Sequence, residues 1–285
     1  MTAMRHNSFL GLSPAGFHRV AYTEWGDPAN PRVLICAHGL TRNGRDFDFL
    51  AAALAADYRV LCPDMVGRGK SEWLSAKDHY SYPQYAADMT ALIARSGAAQ
   101  VDWVGTSMGG IIGMLLAAQP GSPVRRLVLN DVGSFIPRAS LLRLANYVGK
   151  DPKFDTLEEF EQCVRVVSAP FGPLTDEQWR HLALHCHYVD AQGKLRFAYD
   201  PALDGVFKDV AQLQDVDLSP WWNQVQCPVL LIRGEQSDLL LPETVRHMQA
   251  SRPGMLYAEI KETGHAPMLM DPSQIELVSG FLRDR

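Results

Sequence analysis

The sequence predicts an α/β domain: a mostly parallel sheet with helices on both faces and a helical segment inserted into it. Three observations predict this. Short β-branched runs alternate with helix-length segments, which implies crossover connections between parallel strands. Most of those runs close on glycine, and the chemically notable residues gather at the same ends, where a parallel sheet opens its ligand crevice. The alternation lapses between about Phe135 and Trp222, where only helical patterns appear.

In chain order, "HRVAYTEWG" alternates and reads as an exposed early strand. "RVLICAHG" and "YRVLCPDMVG" are compact apolar runs, with the helical "FDFLAAALAA" between them. "YSYPQYAADMTALIARSG" reads as a helix, followed by the strand "VDWVG" and the helical "GGIIGMLLAAQP". "RRLVLNDVG", "PVLLIRGEQSD" and "MLYAEIKETGH" repeat the strand pattern. Within the lapse, "RASLLRLANYVGK", "TLEEFEQCVRVVSAP" and "TDEQWRHLALHCHYV" are helical, each behind a plausible cap. The expected organisation is a core of residues 1–134 and 223–285 with a helical cap of residues 135–222.

Bulk properties narrow the function. With 285 residues and 47% hydrophobic content, the chain can bury a sizeable core. Its net charge of -5 argues against a nucleic-acid partner, because phosphate binding needs a positive excess. Five widely spaced cysteines without a CxxC pair read as reduced core thiols. The N-terminal "MTAMRHNSFLGLSPAG" lacks a continuous apolar stretch, and no run approaches the ~18 apolar residues of a membrane span. The expectation is a cytoplasmic protein acting on a small molecule, away from membranes.

The decisive stretch is "VDWVGTSMGG". Gly105-Thr106-Ser107-Met108-Gly109 is a G-x-S-x-G between a strand and a helix. Side chains beside so tight a bend would collide, and the glycines leave room for a strained, exposed Ser107. A serine needs a base, and the base an orienting acid. His265, after Gly264 at the end of the last strand-like run, is the candidate base. Asp238, ending "LLIRGEQSD", is the preferred acid, and Asp131 in "LVLNDVG" is its rival. An oxyanion hole requires two convergent amides, expected from Met108 and Leu40.

Together, "HGL" at His38–Leu40, "DMVGRGKS" at Asp64–Ser71, "GTSMGG", "RGEQSD" and "GHAP" resemble the α/β-hydrolase superfamily, and more narrowly its capped, esterase-like members. The resemblance spans nearly the whole chain outside the cap. It implies a twisted sheet of about eight strands with an antiparallel early pair, no cofactor, and a structural role for Asp64–Ser71. The expected activity is hydrolysis of a small carboxylic ester through an acyl-enzyme. Carbon–carbon bond hydrolysis, cofactor-free perhydrolysis or haloperoxidation, and a small-molecule receptor are the alternatives on this fold. Ala266 and "LTRNGRDF" stand where carbon–carbon hydrolases typically carry tryptophan and a glycine-rich segment.

Two motifs read as decoys. "GRGKS" lacks the first glycine of a phosphate loop, with Asp64 in its place. "HLALHCH" sets His181 and His185 one helical turn apart, but Leu182 fills the position of a zinc protease's glutamate, so no metal is expected.

Overall fold

The computed structural model describes residues 4–207 and 209–283; the first three residues of the N-terminal stretch read above lie outside that range. Eight strands form one sheet: β1 (Arg5–Ser13), β2 (Gly16–Trp25), β3 (Val33–Ala37), β4 (Arg59–Pro63), β5 (Val101–Thr106), β6 (Val124–Asn130), β7 (Val229–Gly234) and β8 (Leu256–Ile260). Their order across the sheet is β1-β2-β4-β3-β5-β6-β7-β8. β1, β2 and β4 pair antiparallel, and every later pairing is parallel. The expected fold class is borne out, including the antiparallel early pair.

The central strands are apolar along their whole length because helices cover both faces. Ile35 and Trp103 point into one core with α2 (Tyr82–Ser96) and α3 (Met108–Ala117). Leu34, Cys36 and Val104 point into the other with α1 (Asp48–Leu54) and α9 (Pro272–Arg283). α2 begins on a Ser81 cap with Pro83 in its first turn and ends on Gly97 at φ +72°, as its sequence demands. All five cysteines are free thiols. No helix among the described residues is long and apolar enough to cross a membrane.

One early expectation needs correction. The "HRVAYTEWG" strand is not exposed: β2 lies between β1 and β4, and Val20–Glu24 are buried. The solvent-facing edge is β1, whose alternating "RHNSFLGLS" carries that role.

Between β6 and β7 the chain leaves the sheet. A two-residue ribbon pairs Ile136 with Val216 and Phe135 with Asp217, so the two ends of this insertion lie side by side. It carries α4 (Arg138–Ala145), α5 (Leu157–Val167) and α6 (Asp176–His185), then rejoins the sheet through α7 (Ser219–Trp222). Thr156 with Glu159, and Thr175 with Gln178, form reciprocal capping boxes at α5 and α6. Phe160, Val164, Trp179 and Leu182 bury against Met268 and Met270, which docks the insertion on the loop that follows His265. α8 (Pro242–Ser251) connects β7 to β8.

Candidate active site

Ser107 sits at the bend between β5 and α3 with φ +53° and ψ -118°, a conformation an L-residue holds only when its surroundings enforce it. The enforcement is visible. Its N–H donates to Asn130 O at 3.0 Å, and its carbonyl accepts from Gly110 N and Ile111 N. A Cβ on Gly105 would lie 2.3 Å from Gly109 O, and one on Gly109 would lie 2.0 Å from Ala37 O. Both glycines are therefore steric requirements of the turn.

His265 Nε2 is 2.9 Å from Ser107 Oγ, and its Nδ1 is 2.7 Å from Asp131 Oδ2. Asp131 is fully buried at the end of β6, with φ +55°. Its carboxylate also accepts from Gly234 N at 2.8 Å and Ser237 Oγ at 2.5 Å. This arrangement fits the tautomer in which Nδ1–H donates to the carboxylate and Nε2 accepts the serine proton.

The structure thus brings Ser107 and His265 together but not Asp238, and the preferred acid is corrected to Asp131. Asp238 is exposed; its carboxylate accepts from the Arg143 guanidinium on α4, and its carbonyl accepts from Ser140 Oγ. The physical reason is local. β6 adjoins β5, and the left-handed backbone at Asp131 faces the carboxylate toward the imidazole. The loop after β7 contributes a hydroxyl, Ser237, one residue before the expected acid.

Leu40 and Met108 line the same cavity as Ser107, and neither amide has a hydrogen-bond partner among the described residues. The loop carrying Leu40 is held by two buried side chains, His38 and Arg68. His38 is fully buried; its Nδ1–H donates to Gly39 O at 2.7 Å and its Nε2 accepts from Met65 N at 2.8 Å. Arg68, also fully buried, donates to Leu40 O, Val66 O and the Tyr85 hydroxyl, and lies 3.4 Å from Met108 Sδ. The Asp64 carboxylate in the same motif accepts from Gly44 N and Lys70 N, both at 2.8 Å, while burial pushes it up to about 6. A Cβ on Gly69 would strike that carboxylate at 2.4 Å, so "GRGKS" packs around an acid.

Burial drives the His38 imidazole down to about 3 from its ordinary 6.5. Above pH 6.5 neither folded nor unfolded chain binds this proton. Below it the unfolded chain protonates first, so stability falls until the native ring itself titrates near pH 3. Between pH 7 and 5, urea unfolding should show the wild type losing about 2 kcal/mol more than His38→Gln. Parallel losses in the two proteins would refute the assignment.

The cavity over Ser107 measures about 1350 Å³. Its walls are mainly apolar: Ile111 and Tyr82 from the core side, Leu141, Leu144 and Leu213 from the insertion, and Trp221 of α7. Beyond these walls, Trp222 and Phe47 are core side chains, and Phe49 packs edge-on against His181.

Comparison with known proteins finds relatives of the whole chain. A profile of the alpha/beta hydrolase fold matches residues 32–175. The chain is 49% identical over 277 residues to the 3-hydroxybutyrate-oligomer hydrolase of Cupriavidus necator, covering 95% of this chain and 94% of that protein. It is 25% identical over 265 residues to Lipase 1 of Psychrobacter immobilis, covering 90% and 78%. The crystal structure of an alpha/beta hydrolase from Novosphingobium aromaticivorans superposes with a TM-score of 0.86 at 34% identity, over 99% of both chains.

Proposed function

Because the chain belongs to the alpha/beta hydrolase fold family, we propose that it is a serine ester hydrolase whose substrates are short 3-hydroxybutyrate oligomers. The observation that carries the reading is His265 spanning Ser107 Oγ and the buried Asp131 carboxylate. The oligomer class rests on the Cupriavidus relative, and a large apolar cavity roofed by the insertion suits a linear aliphatic ester. In this reading the insertion is the cap. Five free cysteines fit a reducing compartment, as the cytoplasm provides.

The mechanism has two halves. His265 Nε2 takes the Ser107 proton as Oγ attacks the ester carbonyl, and the oxyanion settles between the Leu40 and Met108 amides. Asp131 steadies the imidazolium. His265 then hands the proton to the departing hydroxyl end, leaving an acyl-serine. Water attacks that ester with His265 again as base, and the released acid restores Ser107.

The test is product analysis with the 3-hydroxybutyrate dimer and trimer. Wild type should release 3-hydroxybutyrate, and Ser107→Ala should lower turnover by about 10⁶-fold with unchanged circular dichroism. Residual turnover near the wild-type rate would remove Ser107 as nucleophile. Hydrolysis of p-nitrophenyl esters but not of oligomers would remove the substrate class and leave the chemistry.

A further inference from the structure

We propose that Asp48, His181 and His185 form a binding site for one divalent transition-metal ion of the zinc, cobalt or nickel class, joining the insertion to the core. The two histidines lie one turn apart on α6, with ring centroids 4.6 Å apart. Sequence alone offered this pair without a third ligand. The fold supplies one from α1, 133 positions before His181, as the buried Asp48 carboxylate. Donor atoms of all three residues lie within 4.8 Å of one another. A tetrahedral ion with bonds of about 2.0–2.1 Å separates its donors by about 3.4 Å. His181 Nε2 and Asp48 Oδ2 already stand 3.5 Å apart; Nε2–H now donates to Arg45 O at 2.9 Å, and an ion would take that proton's place. Two imidazoles and a carboxylate suit borderline cations, and three protein ligands leave a fourth position for water.

The surroundings favour a built site. The Phe49 ring edge lies against His181 at 5.2 Å between centroids. Asn43 Nδ2 donates to His185 O at 2.8 Å, fixing the end of α6. A separate cavity of about 860 Å³, walled in part by Asn43, Arg45, His185 and His187, gives the ion a route from solvent.

Arg45 competes for the carboxylate. Its guanidinium holds Asp48 and comes within 3.3 Å of His185 Nδ1. Its side chain also lines the 860 Å³ cavity, into which it can withdraw as a cation arrives. Removing that competitor should therefore strengthen metal binding.

The experiment is calorimetric titration of untagged protein with Zn²⁺ and Ni²⁺, with elemental analysis after dialysis. Wild type should take up one equivalent. His181→Gln, His185→Gln and Asp48→Asn should each weaken binding by at least about tenfold, the loss that even outer partners of a metal site bring. His247→Gln, on the exposed face of α8, should change nothing. Arg45→Gln should tighten binding by about tenfold, a gain that misfolding cannot mimic. Absence of saturable uptake by wild type, equal binding by the ligand variants, weakening by His247→Gln, or no tightening by Arg45→Gln would each overturn the site.

Discussion

Asp131→Asn should lower kcat on p-nitrophenyl butyrate by about 10⁴-fold, while Asp238→Asn should leave it within about twofold of wild type. The first effect follows from the tautomer. A buried carboxylate receives Nδ1–H from His265 and leaves Nε2 free to accept the serine proton. An amide at the same place can turn its NH₂ toward the ring and hold the opposite tautomer, which cannot act as the base. The second follows from exposure. Asp238 and Arg143 form a surface ion pair, and such pairs are worth about 0–1 kcal/mol. Steady-state kinetics on the two variants decides between the acids, because the reverse ranking would restore Asp238.

The second large effect falls on a residue remote from the reacting bond. Arg68→Met should cost about 10²-fold in kcat with little change in KM, and about 3 kcal/mol in unfolding free energy. The Arg68 guanidinium touches two carbonyls and a hydroxyl and stacks over Tyr85 at 4.8 Å. Its bond to Leu40 O sets the plane of the peptide chain beside Ser107, which makes it a positioning residue. Tyr85→Phe removes one of its bonds without touching Leu40, so it should lower stability and spare kcat. Equal kcat losses in the two variants would reduce Arg68 to a structural role.

Sequence reading succeeded where local rules decide the outcome. The G-x-S-x-G turn, the apolar runs closing on glycine and the Thr156 and Thr175 caps need only their neighbours in the chain. It failed where distant segments decide. Asp131 and Asp238 both end strands, and only the backbone twist at Asp131 and the reach of Ser237 separate them. β1 pairs with β2 along its full length, yet its "RHNSFLGLS" opens on four consecutive polar residues and exposes Leu10 and Leu12, so it reads weakly. Arg68 lay inside a motif taken as structural, and its bond to Leu40 O crosses 28 positions of sequence. Asp48 joins His181 only because α1 and α6 meet across the base of the insertion.

The narrow ribbon of Phe135–Ile136 against Val216–Asp217 has a consequence for how such a molecule diversifies. A subdomain that departs and returns within one backbone pairing can be exchanged for another without altering strand register beneath it. Selection can then reshape which molecules are admitted while the reacting groups stay where β5, β6 and the segment after β8 hold them.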